Sequence, residues 1–330
     1  MDGTRPTKEI KVSVIVPFLN AQGTIERCAT SVLSQTLKEM EVIFVNDGSF
    51  DRGADILNAV LRKFPERAGN IVMIHFPIRH GLHHANHEAM VKASGKYIIR
   101  CDADDEFSSP DALRRMVDAA ERDNADIAVA PYIKVEGEKE TISKPSPNFP
   151  DINRIRIHTE NYSLWNKLIS RKLCFDNGIL PLADVDCWED LIMVSRLLAL
   201  NPKVVIIDTP IYRYYVNPAA HTLSRAARDT QLRQHLLAAL MLEKWFANRY
   251  PDNRYEPFLN RLKLISKVKF LKGKGKDVDL WKKTFPEVNS RIMSITGVPL
   301  IYRLMFATVA ALPTGFTQWI ANQCDRFYKD

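Results

Sequence analysis

Runs of apolar residues alternate with amphipathic stretches along the first 130 residues, and this alternation predicts strands and helices in turn. The predicted strands cover residues 11–17, 41–45, 71–76, 97–101 and 126–132, and the predicted helices cover about 24–35, 52–64 and 85–93. A further helix is predicted to begin at Ser109-Pro110-Asp111, where serine caps the helix and proline takes its first position. Repeated βα units predict an α/β fold, a mostly parallel sheet flanked by helices.

The remaining chain has a different pattern. Residues 136–151 are polar and rich in proline and predict a long loop, helical patterns cover 162–174 and 189–200, and a strand is predicted over 204–207. From Thr230 onward the pattern is helical and basic. We therefore expect a sheet domain over residues 1–225 and a basic helical C-terminal extension over residues 226–330.

Acidic side chains follow two of the predicted strands. Asp47 comes after the strand at 41–45, and Asp102, Asp104 and Asp105 come directly after the strand at 97–101. Because a binding crevice lies outside the carboxyl ends of parallel strands, these acids could share one site. Carboxylates this close repel one another unless a cation or a hydrogen-bond donor lies between them, so they suggest a metal and its anionic ligand.

Four motifs in order carry a resemblance to a known family. They are Pro17-Phe18-Leu19-Asn20, Asn46-Asp47-Gly48-Ser49, Asp102-Ala103-Asp104-Asp105 and Trp188-Glu189-Asp190. Together they resemble the inverting nucleotide-sugar glycosyltransferases of family 2 over roughly residues 10–225, and Trp165-Asn166-Lys167-Leu168 is similar to a helix motif that many members carry. The resemblance implies the Rossmann-like GT-A fold, with a nucleotide-sugar-binding catalytic domain in residues 1–225.

The resemblance assigns the first two motifs to the nucleotide of the donor. It implies that the turn at Pro17, Phe18 and Asn20 offers backbone groups and an apolar wall to the base. It also implies that Asp47 accepts a hydrogen bond from a base N–H. Beside it, Asn46 stands where the family usually carries another acid, which keeps an acceptor but removes a charge.

The third motif is assigned to the sugar diphosphate and its metal. The resemblance implies that Asp104 binds Mg²⁺ or Mn²⁺, that Asp102 reaches the ribose or the water shell of the metal, and that Ala103 lies against the donor, with Asp105 in support. All-oxygen ligands suit either ion, which would stabilise charge on the departing diphosphate.

The fourth motif is assigned to the acceptor. Displacement at an anomeric carbon requires a base that deprotonates the attacking hydroxyl. The resemblance implies that Asp190 is this base, that Glu189 and Trp188 shape the acceptor side, and that His221 or Arg225 folds over the donor from a flexible loop. Taken singly, the motifs also fit a plain turn, an acidic loop and the charged start of a helix.

One departure concerns a cation near the diphosphate. Family members commonly carry Ala-Arg-Asn where this chain has Ala85-Asn86-His87. Four histidines with the spacing of one helix face lie nearby, namely His80, His83, His84 and His87. Imidazoles there could donate to phosphate, bind zinc or form an inert surface.

Charge and hydropathy set the remaining expectations. The net charge is +7, and residues 249–330 carry 15 Lys and Arg against 7 Asp and Glu, which leaves −1 for the first 248 residues. A basic surface of this kind suits an anionic membrane or nucleic acid by charge alone, and it fits a solvated helix face at least as well. The apolar segment 298–312 is shorter than the about 20 residues that span a bilayer, so it predicts either an interfacial helix or a buried one.

No apolar segment of signal-peptide length precedes the first strand, which favours a cytoplasmic location. The basic C-terminal third would hold the protein near the inner face of the membrane. The five cysteines have no C-x-x-C pair, which argues against a disulfide framework or a structural zinc site.

Together with these observations, the resemblance implies a metal-dependent inverting glycosyltransferase that moves a sugar from a nucleotide diphosphate, UDP foremost, to a hydroxyl of a saccharide or lipid-linked saccharide. Nucleic acid is not an expected partner. Two alternatives are a sugar-nucleotide nucleotidyltransferase, whose Gly-rich phosphate loop is missing here, and a non-catalytic nucleotide-sugar binding protein.

Overall fold

The computed structural model describes residues 9–216, 228–272 and 276–317. Of these, residues 9–146 and 162–216 form one compact unit, and residues 147–161, 228–272 and 276–317 form a second. The boundary predicted at residue 225 lies outside the described residues, so the predicted domains 1–225 and 226–330 stay a prediction.

The first unit contains all the strands found in the described residues. They are β1 Val12–Phe18, β2 Met40–Asp47, β3 Ile71–Phe76, β4 Tyr97–Arg100, β5 Glu106–Phe107, β6 Ile127–Val129, β7 Tyr132–Glu136, β8 Lys139–Ser143, β9 Lys167–Ser170, β10 Val204–Ile206 and β11 Tyr212–Tyr215. Seven of them form one sheet in the order β10-β6-β9-β4-β1-β2-β3, and the other four form a sheet in the order β5-β11-β7-β8.

Helices cover the larger sheet and form the second unit. They are α1 Ile25–Leu33, α2 Gly53–Leu61, α3 Leu82–Lys92, α4 Ala112–Arg122, α5 Thr159–Tyr162, α6 Arg171–Asp176, α7 Glu189–Leu198, α8 Arg228–Arg249, α9 Glu256–Ser266, α10 Val278–Lys283, α11 Pro286–Asn289 and α12 Leu300–Ala311. Among the described residues, no helix combines the length and apolarity that crossing a bilayer requires.

The larger sheet is mostly parallel, as predicted. Strand β1 pairs in parallel with both β2 and β4, and every residue of β1 and β2 is buried, because helices cover both faces of the sheet. Helix α1 buries Ile25, Cys28 and Val32, spaced as one face of a helix, against this sheet. The carboxyl ends of β1, β2 and β4 therefore open at the same edge.

The helix predicted over 162–174 is wrong in its central part. Residues Lys167–Ser170 form strand β9, which runs antiparallel between β4 and β6, and Trp165-Asn166 leads into that strand. The flanking strands each need a partner for their backbone groups, and this requirement overrides the local pattern. The Lys167 ammonium is buried and donates to the Ser163 carbonyl oxygen and to Asn166 Oδ1, each at 2.8 Å.

The loop predicted over 136–151 is also partly wrong. Strands β7 and β8 form a hairpin whose ends pair at Glu136 and Lys139, and Gly137 takes the positive φ of +61° that the tight turn requires. The polar side chains of β8 are exposed because this strand lies at the edge of its sheet.

The second unit has a core of its own. Trp281 of α10 and Phe306 of α12 are fully buried and their rings lie 6.0 Å apart. Lys267, just after α9, is also buried, and its ammonium lies 4.2 Å from the centre of the Trp281 ring. This unit therefore encloses a charged side chain among aromatic ones.

Candidate active site

The turns that follow β1 and β2 are joined by hydrogen bonds. Asn20, at φ +52°, donates its backbone N–H to Ser49 Oγ at 3.0 Å, and its Oδ1 accepts from the Phe50 N–H at 3.0 Å. Asn46 Oδ1 accepts the Ser49 N–H at 2.9 Å. The structure thus brings together the first two predicted nucleotide motifs.

The side chains of the first turn offer less surface to a nucleotide base than the sequence suggests. Pro17 and Phe18 are buried, and Phe18 packs in the hydrophobic core of the sheet. The apolar wall expected from Phe18 is therefore turned inward, and it is the backbone that this turn offers to the edge of the sheet.

Asp47 is buried at the end of β2 and holds the segment before α3. One carboxylate oxygen accepts the His80 N–H at 2.7 Å and the other accepts the Gly81 N–H at 3.0 Å. Each oxygen keeps a second lone pair, so the predicted contact with a base N–H is still possible. The following Gly48 has φ +73°, and a Cβ there would lie 2.4 Å from the Ile78 carbonyl carbon. Only glycine fits this approach.

The carboxylates of the acidic loop after β4 differ in burial: Asp105 is buried, whereas Asp102 and Asp104 are partly exposed. Asp105 is buried and accepts the Tyr215 N–H at 2.8 Å, while the Asp102 N–H donates to the Tyr212 hydroxyl at 2.9 Å. Burial, with the charges of Asp104 and Asp102, raises the pKa of Asp105. Asp105 therefore anchors the loop to β11, and Ala103 is buried within it.

Asp104 lies in an environment with excess negative charge. Burial and the neighbouring Asp102 carboxylate raise its pKa to about 6, against the opposing effect of Arg27 and Arg100. Arg27 donates to the Asp104 carbonyl oxygen and its guanidinium carbon lies 3.8 Å from the centre of the Tyr215 ring. The backbone of Asp104 is therefore held in place while its carboxyl group is left half-buried.

These carboxylates fit the expected metal. Asp102 and Asp104 are oxygen donors, which Mg²⁺ and Mn²⁺ prefer, and a divalent cation would relieve the repulsion that raises the pKa of Asp104. No cluster of three or more His, Cys, Asp or Glu able to hold a metal occurs in the described part of the chain. An ion at Asp102 and Asp104 would therefore need further ligands besides these two side chains.

A buried arginine joins the acidic loop to the start of α7. Arg100, the last residue of β4, pairs through Nη1 with Glu189 Oε1, and its Nε lies 2.8 Å from Asp102 Oδ1. Burial alone would lower the pKa of Arg100, but Asp102, Glu189 and Asp190 together raise it. The third and fourth predicted motifs thus share one charge network.

Arg100 is a residue that the motifs missed. Its signal in the sequence is a single charge at the end of the apolar run that predicts β4. A charged side chain on a buried strand requires a partner of opposite charge, so this position indicates an ion pair without identifying the partner.

The first turn of α7 separates two acids by their exposure. Glu189 is buried, and burial raises its pKa to about 7 although Arg100 opposes the shift. Asp190 is partly exposed, and burial, with the charge of Asp102, raises its pKa against the effect of Arg100. Trp188, at φ +69°, starts the helix and is also partly exposed. Asp190 is thus the acid of this motif that a substrate can reach.

The histidines do not form a single helix face, since α3 begins at Leu82 and His80 precedes it. The rings of His80 and His84 stack with centroids 5.0 Å apart. The His83 ring meets the His84 ring edge-on, with centroids 6.5 Å apart. Its Nδ1 lies 2.9 Å from Asp186 Oδ1, the same oxygen that accepts the His83 backbone N–H at 3.0 Å. His83 therefore links the start of α3 to the loop before α7.

Two predicted residues, His221 and Arg225, lie outside the described residues. Their expected place over the donor stays a prediction.

Comparison with known proteins gives matches in family, sequence and fold. The family model for glycosyl transferase family 2 matches residues 13–178. Over 219 residues the chain is 27% identical to a cholesterol galactosyltransferase of Borreliella burgdorferi, which covers 61% of this chain and 59% of that protein.

Solved structures resemble this chain in fold, among them the two that follow. The structure of S. aureus TarS residues 1–349 in complex with UDP-GlcNAc is similar with a TM-score of 0.63 and 16% identity, over 95% of this chain and 91% of that chain. The mannosyltransferase PcManGT from Pyrobaculum calidifontis in complex with GDP-Man and Mn²⁺ is similar with a TM-score of 0.55 and 17% identity, over 98% of this chain and 89% of that chain. These likenesses confirm the predicted GT-A fold.

Proposed function

Because the chain belongs to glycosyl transferase family 2, a family of glycosyltransferases, we propose that it catalyses metal-dependent, inverting transfer of a sugar. The donor is a nucleotide diphosphate sugar, with UDP as the first nucleotide to test, and the acceptor is a hydroxyl of a saccharide or lipid-linked saccharide. TarS holds UDP-GlcNAc and PcManGT holds GDP-Man with Mn²⁺ in their structures, which supports a nucleotide-sugar donor and a divalent cation.

One observation carries this function. Arg100 connects Asp102, on the donor side, to Glu189, on the acceptor side, so that both carboxylates are fixed by one buried guanidinium. Asp190 follows Glu189 directly and is partly exposed. Metal-dependent inverting transfer needs an acidic site for the cation and a separate carboxylate that can take a proton, and these residues can provide both.

Each group of residues has its own role in the proposed reaction. Asn20, Asn46 and Asp47 hold the turns that receive the nucleotide, and Asp102 and Asp104 would hold the cation. When bound, the cation supplies Lewis-acid stabilisation of the leaving diphosphate. Asp190 takes the proton of the acceptor hydroxyl at one of its carboxylate oxygens. Its raised pKa makes it a stronger base than an exposed aspartate.

The cellular location of the protein is also part of this proposal. A nucleotide-sugar donor is consistent with the cytoplasmic site expected from the sequence, and neither the proposed donor nor the acceptor is a nucleic acid.

The test measures donor binding and sugar transfer separately. Thermal shifts with nucleotide diphosphates and nucleotide sugars, with Mn²⁺ or with EDTA, report binding, because a ligand that binds the folded state raises its apparent stability. We expect a shift that EDTA removes and that Asp104→Asn abolishes. Asp190→Asn is expected to keep this shift and to lower transfer by about 10²–10⁴-fold.

Asp55→Asn provides a matched control, because Asp55 is an exposed aspartate on α2. It is expected to change neither binding nor transfer. Release of inorganic pyrophosphate from a nucleoside triphosphate would identify a nucleotidyltransferase instead. A metal-dependent shift without consumption of any donor would identify a binding protein. Either result would overturn the proposed activity.

A further inference from the structure

Helix α12 of the second unit exposes one apolar face. Leu300, Ile301 and Leu304 are exposed by 55%, 63% and 48%. At 100° per residue these three side chains lie within a 100° arc. Phe306 and Val309 lie on the opposite side of the helix and are fully buried in the core of the unit. The helix is therefore fixed by one face while large aliphatic side chains cover the other.

Large apolar side chains are also exposed in the segments before and after the helix. Met293 is 45% exposed, and its carbonyl oxygen accepts from Arg303 Nη1 on α12 at 2.5 Å. After the helix, Leu312 and Phe316 are 41% and 75% exposed. We call these six side chains the apolar patch, namely Met293, Leu300, Ile301, Leu304, Leu312 and Phe316. Large apolar side chains exposed together in one segment, residues 293–316, mark a candidate interaction site.

Basic side chains lie beside the apolar patch. Lys282 of α10 donates to the carbonyl oxygen of Leu312, and the adjacent Lys283 is exposed. Between Glu287 and Asp325 the sequence has two arginines and no acidic residue. An acid lies there too, because Asp279 Oδ1 accepts from Thr314 Oγ1. Lys282, Lys283 and Asp279 together leave a net positive charge beside the patch, which favours an anionic partner.

Charge also distinguishes two possible partners of the apolar patch, a second copy of this chain and an anionic membrane. Residues 249–330 carry a net charge of +8, and +5 remains when the buried Arg261, Lys263 and Lys267 are set aside. Pairing this region with a second copy of itself would therefore bring like charges together. A bilayer with anionic phospholipids offers both an apolar layer and a negative surface, which matches aliphatic side chains flanked by lysines.

We propose that the apolar patch binds the surface of a membrane containing anionic phospholipids. Helix α12 lies in the plane of the interface with Ile301 and Leu304 among the acyl chains, while Lys282 and Lys283 contact lipid phosphates. This binding requires neither donor nor acceptor, so it goes beyond the proposed transfer reaction and can be tested without it.

The test is flotation of the full-length protein with vesicles of phosphatidylcholine alone or mixed with phosphatidylglycerol. We expect binding to the mixed vesicles that weakens as salt is added. The double variant Ile301→Gln/Leu304→Gln is expected to lower binding by at least about tenfold, because it removes apolar side chains from the interface. Lys283→Glu is expected to lower binding to mixed vesicles only.

The control is Ile142→Gln, which removes an isoleucine that is 61% exposed on β8 of the first unit. It is expected to bind vesicles as the unchanged protein does. Circular dichroism and sedimentation equilibrium are recorded for every variant. Equal vesicle binding by the double variant and the control would overturn the proposal. So would a stable dimer that the double variant converts to a monomer, because the patch would then be a contact between copies.

Discussion

Replacing Arg100 with methionine removes the cation of the buried charge network while keeping much of the side-chain volume. The side chains of Arg100 and Glu189 are only 8% and 3% exposed. The variant therefore leaves the Glu189 carboxylate without a partner in a site from which water is largely excluded. Removing one partner of a buried ion pair typically costs about 3–5 kcal/mol.

The structure places the expected loss near the lower end of this range at pH 7. The pKa of Glu189 is already raised to about 7 with Arg100 present, and without the guanidinium it rises further. The carboxyl group can then take a proton and avoid part of the cost. Asp102, whose side chain is 26% exposed, keeps some solvent. We therefore expect a loss of about 3 kcal/mol in the free energy of unfolding at pH 7.

The loss is expected to depend on pH. A carboxyl group whose pKa in the folded state lies above its unfolded value stabilises the fold below the unfolded pKa, and this contribution is lost as pH rises through the folded pKa. The wild type should lose stability in this way only up to about pH 7, the pKa of its Glu189. The stability of Arg100→Met should continue to fall from pH 7 to 8, by up to about 1.4 kcal/mol per pH unit.

Urea unfolding followed by circular dichroism measures this loss, with midpoint and slope fitted separately. Lys11→Met is the matched control, because Lys11 pairs with Glu121 at 2.6 Å but the two side chains are 35% and 31% exposed. Exposed pairs contribute about 0.2–1 kcal/mol. A loss in Arg100→Met no larger than that in Lys11→Met would refute the view that this network is buried and structural.

Three other substitutions have expected outcomes. Gly48→Ala should lower the urea midpoint and weaken donor binding, since its Cβ would lie 2.4 Å from a backbone carbonyl carbon, whereas Gly23→Ala, with open space around its Cβ, should be tolerated. His83→Phe removes the contact with Asp186, so kcat should fall about tenfold with little change in donor KM if the contact positions the start of α7; an unchanged kcat would exclude this role. Burial lowers the pKa of Lys267 to about 7, so the wild type should gain stability as pH rises from 7 to 9 while Lys267→Met should not, and parallel pH profiles would contradict this.

The parallel strands were predictable because their pattern is local. Every residue of β1 and β2 is buried, and a continuous apolar run is typical of strands covered on both faces. Strand β9 was not predictable in the same way. Its four residues, Lys167–Ser170, are too few to show a period, and they are extended because β4 and β6 lie on either side. Tertiary pairing therefore decides this element.

The candidate site also has a part that the sequence predicts and a part that depends on tertiary structure. Asp47, Asp102 and Asp104 follow strands, so their place at one edge of the sheet could be inferred from the sequence alone. The contact between Arg100 and Glu189 joins residues 89 positions apart. It depends on where α7 starts relative to the end of β4, and no local pattern encodes that distance.

This contact bears on the choice of base, because Glu189 and Asp190 are adjacent acids with opposite surroundings. Glu189 is buried against Arg100, so proton transfer to it from an acceptor would disrupt the pair that holds Asp102 in place. Asp190 is partly exposed, and Arg100 opposes the rise of its pKa, which helps to keep it ionised. A general base needs access to the hydroxyl and a pKa raised toward the working pH without being protonated there. These requirements favour Asp190 as the base and leave Glu189 to fix the distance between donor and acceptor sides.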